Sequence, residues 1–312
     1  MPFRLKQAWR LRIGRWAVAG LAVLLAACQS LPPAPPPTVP PTAPPVMQPP
    51  LKMPSPPRLG LALGGGAARG FAHIGVIQVL EEAGIRPALV VGTSAGSLVA
   101  ALYASGKTGA EMAALALTMD EGSITDWSFP SRGLIRGEAL ARYVRRHTGE
   151  LNIEQMKLPL GIVATDLDSG VGVLFRRGDT GLAVRASSAV PAVFQPVRIG
   201  TREYVDGGLV APVPVRYARE MGAELVLAVD ISTPPDGAAT GDLMKLLLQT
   251  FAIMGRSLSG HELSQADLVL RPSLVGVGSA DFTARSRAIQ AGREAMTAAL
   301  PALKARIAAM TL

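Results

Sequence analysis

The chain has 312 residues, with 31 lysines and arginines against 23 aspartates and glutamates and a single cysteine. Five of the basic residues precede Cys28 and no acid does, which leaves 26 against 23 for the remainder, too even a balance to support nucleic-acid binding. One cysteine rules out an intramolecular disulfide framework, and no repeat of solenoid period is present.

Arg4, Lys6, Arg10, Arg12 and Arg15 stand ahead of an apolar run from Ala17 to Ala27. The run is short for a bilayer span and has the charge order of a secretory signal. It closes on Leu25-Ala26-Ala27-Cys28, which resembles a bacterial lipoprotein box. That resemblance implies that residues 1–27 are a signal peptide, that Cys28 is lipidated and becomes the mature N-terminus, and that the protein is an exported lipoprotein anchored to a membrane. Stable anchoring takes more than one acyl chain. Gln29 stands where an aspartate retains many lipoproteins at the inner membrane, so the resemblance implies the outer membrane, facing the periplasm. Proline and small residues dominate from Pro32 to Pro57, a composition that favours extended polyproline II and builds no core. Residues 28–57 thus read as a tether, which at about 3.1 Å per residue spans about 80 Å over its proline-rich part.

Residues 58–312 read as one domain, of a length ordinary for a helix-covered α/β sheet. Leu59 to Leu63 is a short buried strand, followed by the loop Gly64-Gly65-Gly66-Ala67-Ala68-Arg69-Gly70 and a helix from Phe71 to Ala83. Ala88 to Val91 is a second strand, and Gly92-Thr93-Ser94-Ala95-Gly96 leads from it into a helix over Ser97 to Tyr103. The basic stretch Arg142 to His147 reads as a solvated helical face, with anionic lipid as the alternative for Arg142, Arg145 and Arg146. Leu160 to Ala164 and Val171 to Phe175 are strands around a hairpin turn that accounts for Asp166 and Asp168. A strand from Arg202 ends in Asp206-Gly207-Gly208, and Leu225 to Val229 is another, with Asp230 structural at its end. Leu243 to Leu258 is an amphipathic helix that covers the sheet or, alternatively, forms a membrane-facing lid. Arg285 to Met310 reads as one or two helices interrupted at Pro301. Strands alternating with helices predict a three-layer α/β/α architecture.

Two segments carry chemistry. Glycines two residues either side of Ser94 allow a sharp strand-to-helix turn that lifts its Oγ into solvent at a helix N-terminus. The glycine loop can aim several N–H groups at one anion. A dinucleotide fingerprint fails in either register, because Arg69 or Ala67 occupies a required glycine position. A phosphate-binding Walker loop fails too, because Phe71 replaces its lysine. An oxyanion hole beside Ser94 remains. The serine needs a base, and the histidines are His73, His147 and His261. His73 and His147 do not fit the Ser, acid, His order of an α/β-hydrolase, and His261 lies in a polar run at a helix end. Asp206 is the better candidate base.

In order, these motifs resemble the patatin-like phospholipase family: a glycine-rich loop ending in Arg69-Gly70, then Gly92-x-Ser94-x-Gly96, then Asp206-Gly207-Gly208. The segments Arg185 to Phe194 and Val210 to Ser232 are also similar to the family's bacterial branch. The likeness spans about residues 58 to 275. It implies a patatin-like fold with a mostly parallel central sheet and a Ser–Asp dyad, Ser94 as nucleophile and Asp206 as general base. It also implies an oxyanion hole drawn from Gly65, Gly66 and Ala67. Ala67 departs from the family pattern by standing at the third glycine position, which leaves open which N–H groups point inward. Arg69 either anchors the loop or meets an anionic substrate; its place in the motif favours anchoring.

An aspartate with an ordinary pKa of about 3.9 is a weak base, so the dyad needs Asp206 desolvated and the oxyanion strongly held. With no imidazolium to protonate an amine, esters are the expected substrates. The expected activity is that of a serine acyl hydrolase on phospholipids, lysophospholipids or other acyl esters, working through an acyl-enzyme without metal or cofactor. The rivals are a small-ester carboxylesterase and a catalytically silent lipid-binding or scaffolding lipoprotein. Protein partners are not indicated.

Overall fold

A computed structural model of the chain describes residues 55–311, apart from 121, 123, 128–131, 233–240, 242, 279 and 280. The signal segment, Cys28 and the tether up to residue 54 lie outside the described residues. In chain order the elements are β1 (Leu59–Leu63), α1 (Phe71–Glu82), β2 (Leu89–Thr93), α2 (Ala95–Ala104), α3 (Gly109–Thr118), β3 (Gly133–Ile135), α4 (Glu138–Thr148), β4 (Leu160–Asp166) and β5 (Gly172–Phe175). They continue with α5 (Thr180–Ser187), β6 (Ala192–Phe194), β7 (Val197–Ile199), β8 (Arg202–Asp206), α6 (Val215–Glu220), β9 (Leu225–Val229), α7 (Leu243–Leu263), β10 (Leu268–Leu270) and α8 (Arg285–Met310).

The main sheet has the order β10-β9-β1-β2-β4-β8-β7, with β5 also paired to β4. The pairs from β10 through β4 are parallel, and β5, β8 and β7 add antiparallel pairs. A parallel sheet must be covered on both faces, which is why β1 and β9 are apolar at every side-chain-bearing position. Leu61, Leu63, Leu225 and Leu227 face α1, α2 and α8 through Ile77, Val99 and Met296. Their neighbours Ala62, Val226 and Ala228 face α6 and the end of α7 through Val215, Ala218 and Leu263. Each fully buried leucine contributes about 1.5–3 kcal/mol relative to exposure. The result is the expected α/β/α layering with a mostly parallel mixed sheet.

Two expectations change. Of the two alternatives for Arg285–Met310 the structure has one helix, and Pro301 lies inside it without interrupting it. Proline forfeits one intrahelical hydrogen bond, and burial of Ile289, Met296 and Leu303 on both sides of it holds the axis continuous. Helix α7 covers little of the sheet: Ser259, Glu262 and Leu263 are buried near its end, while Leu243 (72 % exposed), Leu246, Leu248, Ile253 and Met254 face outward. The strands β3, β6, β7 and β10 have three residues each, too short to leave a period in the sequence.

Candidate active site

The meeting of Ser94 with Asp206 follows from how β4 is shared. One edge of β4 pairs with β5 along Ile162–Thr165. The other edge takes β2 in parallel as far as Thr93↔Val163, then β8 antiparallel from Asp206↔Ala164. Because β2 and β8 run in opposite senses along that edge, their C-terminal ends abut at consecutive β4 residues. Ser94 follows the end of one, and Asp206 ends the other.

Ser94 sits between β2 and α2 at φ 52°, ψ −125°, a conformation that costs a non-glycine residue about 1–3 kcal/mol and needs surroundings that over-determine it. Those surroundings are visible. The Ser94 N–H donates to Ser187 Oγ at 2.9 Å, and Ser187 Oγ donates to Val163 O at 2.6 Å. Ser97 Oγ donates to Ser94 O at 2.6 Å. The flanking glycines are required by close backbone approach. A Cβ on Gly92 would lie 2.3 Å from Gly96 O, and one on Gly96 would lie 2.2 Å from Leu63 O.

Asp206 is 6 % exposed. Its Oδ1 accepts the Gly208 N–H at 2.7 Å, while its buried Oδ2 accepts no hydrogen bond of ordinary geometry. Burial pushes its pKa up to about 6, against the opposing pull of the Gly208 N–H and then the Ser94 hydroxyl. Ser94 thus acts on the carboxylate over a contact looser than a regular hydrogen bond, as catalytic pairs do before substrate tightens them. Gly207 lets the strand end close on β4, since a Cβ there would lie 2.2 Å from Val163 O. Thr165 Oγ1 donates to Asp206 O at 2.8 Å, and Thr93 Oγ1 to Ala211 O at 2.8 Å, tying both strand ends to their neighbours.

The glycine loop leaves β1 beside this point, and Gly65 lies directly over Ser94, whose Cβ would be 3.1 Å from a Cβ on Gly65. The loop corrects one expectation. The Gly65 N–H donates to Pro212 O at 2.9 Å, so it is occupied and does not face an oxyanion. The N–H groups of Gly66 and Ala67 donate to nothing among the described residues, which narrows the candidate donors to these two. Ala67 holds φ 49°, the left-handed region a glycine would occupy without cost. Arg69 anchors the loop: its Nε donates to Gly66 O at 3.3 Å and its N–H to the same oxygen at 3.2 Å. Burial lowers the pKa of its guanidinium, against the pull of Asp230. Gly70 packs on Ala95 at the start of α2.

The remaining polar candidates lie elsewhere. His147 stacks obliquely on Tyr143 at 4.3 Å, and His261 faces Gln265. Asp166 accepts Arg202 Nη1 at 2.6 Å and the Ser169 N–H at 2.9 Å within the β4–β5 turn, and this arginine contact first of all holds its pKa down at about 2. Asp230 accepts the Ser232 N–H at 3.0 Å and pairs with Arg271 at 3.3 Å. Arg145 pairs with Asp179 at 2.8 Å. The sequence reading missed Ser187 and gave His73 no role; a serine within the apolar turn of α5 and a histidine in an otherwise apolar first turn of α1 were the available signals.

Known proteins resemble this chain in sequence and in fold. The family described as patatin-like phospholipase matches residues 61–219. An uncharacterized NTE family protein of Mycobacterium tuberculosis, Rv1063c, is 39% identical over 188 residues, covering 59% of this chain and 52% of that protein. Patatin-like phospholipase domain-containing protein 6 of Mus musculus is 33% identical over 183 residues, covering 56% of this chain and 14% of that protein. The chain therefore spans about half the length of the mycobacterial relative and a small part of the mouse one. Among solved structures, VipD from Legionella pneumophila superimposes with a TM-score of 0.55 at 15% identity, over 80% of this chain and 68% of that one, a likeness of fold.

Proposed function

This chain belongs to the patatin-like phospholipase family, and from that premise we propose that it is a serine acyl hydrolase that cleaves acyl esters of lipids through a Ser94–Asp206 dyad. The observation that carries this reading is the strained Ser94 beside the buried, unpartnered Oδ2 of Asp206, whose pKa of about 6 suits a base working near neutral pH. Ser94 Oγ attacks the acyl carbon as Asp206 Oδ2 takes its proton. The Gly66 and Ala67 N–H groups receive the negative oxygen, a contribution of about 3–4 kcal/mol per donor in such sites. The bond to the leaving alcohol breaks as Asp206 returns the proton. Asp206 then takes a proton from the water that attacks the acyl carbon and passes it to Ser94 Oγ as the acid leaves, which regenerates the dyad. Esters fit this cycle better than amides, because an alkoxide leaves with less help from an acid.

The proposal extends to place. Supported by the cations ahead of Ala17–Ala27 and by the lone cysteine at Cys28, the chain is a lipoprotein held at the outer membrane's periplasmic face, with residues 28–57 as its tether. Palmitate incorporation that is lost in Cys28→Ala tests this part.

For the activity, a fluorophosphonate probe on the full chain, mapped by peptide mass spectrometry, labels Ser94. The label disappears in Asp206→Asn and survives in His261→Ala. A folded chain in which Ser94 takes no label would refute the enzyme reading and leave a lipid-binding lipoprotein.

A further inference from the structure

The peptide between Gly64 and Gly65 is gripped at both ends. Its carbonyl, Gly64 O, lies 2.8 Å from His73 Nε2, and its N–H donates to Pro212 O at 2.9 Å. One residue earlier, the Gly64 N–H donates to Val229 O at 3.0 Å. A carbonyl oxygen only accepts, so Nε2 carries the ring proton and Nδ1 is the bare acceptor. That Nδ1 is buried without a partner, in a side chain with no exposed surface. Burying an unsatisfied nitrogen costs stability, and leucine would fill the place without that cost.

The loop supplies a reason for the histidine. Three successive glycines, Gly64 to Gly66, carry no Cβ to oppose rotation of the peptides between them. A half-turn of the Gly64–Gly65 peptide would swing its carbonyl oxygen round and displace the two N–H groups that follow. Arg69 restrains Gly66 O by two hydrogen bonds, at 3.2 and 3.3 Å. His73 is the side chain that restrains Gly64 O. Together they fix two loop carbonyls, Gly64 O and Gly66 O, while the Gly66 and Ala67 N–H groups donate to nothing among the described residues.

We propose that His73 is a positioning residue that latches the Gly64–Gly65 peptide and so keeps the oxyanion hole formed before substrate arrives. The inference rests on the acyl-hydrolase reading for its catalytic consequence, but not for its geometry. Burial lowers the ring's pKa to about 4, against the pull of Gly64 O and Asp230. The latch therefore stays neutral, with its proton on Nε2, throughout the range in which Asp206 is ionised.

Two measurements on the full chain test it. In the wild type, nitrogen NMR of the His73 ring shows the Nε2–H tautomer, a slowly exchanging ring proton, and no titration above pH 5. An Nδ1–H tautomer, or a ring that titrates near 6.5, overturns the latch whether or not the chain is an enzyme. The second measurement compares His73→Leu with His73→Gln, whose amide nitrogen reaches about as far as Nε2. With a soluble ester, His73→Leu lowers kcat about 10- to 100-fold, somewhat less than outright loss of a donor. KM changes little, affinity for a boronic acid analogue of the tetrahedral intermediate falls in the same ratio as kcat, and His73→Gln restores most of both. A folded His73→Leu with unchanged kcat, or with KM and kcat failing together and no rescue by glutamine, overturns the proposal. Wild-type protein that hydrolyses no ester but shows the tautomer would sink the activity reading and leave the latch standing.

Discussion

Replacing Asp206 by asparagine makes the folded chain more stable while removing its activity, and the size of the gain depends on pH. Burial raises the Asp206 pKa from 3.8 to about 6, a displacement of about two units, each worth about 1.4 kcal/mol. The folded state therefore binds the proton more tightly than the unfolded state, and between pH 3.8 and 6 folding takes up protons. Stability falls as pH rises through that window and levels off above it. The ionised carboxylate costs the fold about 3 kcal/mol above pH 7 and nothing below pH 3.8. Asparagine keeps an oxygen for the Gly208 N–H and does not titrate. Urea denaturation of wild type and Asp206→Asn, with linear extrapolation at pH 4.5 and pH 8, measures the difference. We expect it to be about 1 kcal/mol at pH 4.5, which lies inside the window, and to reach about 3 kcal/mol in favour of the variant at pH 8. A difference independent of pH, or a variant less stable than wild type at pH 8, refutes the assignment of Asp206 as a carboxylate held charged against its burial.

The same shift sets the rate profile: kcat/KM on a soluble ester falls about tenfold per unit below pH 6 and is level just above it, and an acid limb centred near 4 would contradict a buried base. Ser187→Ala removes the acceptor of the Ser94 N–H and the donor to Val163 O; it should cost about 1–3 kcal/mol in denaturation and lower kcat more than KM, since the elbow loses its brace. Ala67→Gly should relieve the left-handed strain at φ 49°, raising stability by about 0.5–1 kcal/mol after the unfolded-state entropy of glycine is offset, and should keep activity. Gly96→Ala should yield no stable folded protein, because the new Cβ meets backbone, Leu63 O at 2.2 Å, where no side chain can move aside; a normal melting curve for it would contradict the described elbow.

Much of the architecture was legible because it is written locally. The strands β1, β2, β4 and β9 lie on mainly apolar runs, as buried parallel strands must read, and the antiparallel β5 and β8 are marked by glycines at their ends, Gly172 and Gly207. Pro301 misled, because the cost of a proline inside a helix is a local quantity and its repayment is not: Met296 and Leu303 are buried on either side of it. The outward face of α7 was illegible for the same reason, since an apolar stripe in sequence does not say whether anything packs on it.

The sequence by itself determined the parts of the site that depend on a backbone conformation or a single side chain. The elbow around Ser94 needs its flanking glycines, the loop needs N–H groups without side chains in the way, and Asp206 needs glycines after it to close against β4. What only the tertiary structure decided is which of these groups are already spoken for. The Gly65 N–H is taken by Pro212 O, Gly64 O by His73, and the Ser94 N–H by Ser187, partners that motif spacing does not reveal. The approach of Ser94 to Asp206 is likewise set by β2 and β8 ending against consecutive residues of one strand. Hydrogen-bond saturation and the pKa of a buried carboxylate are properties of an enclosure, and an enclosure exists only once the distant segments have come together.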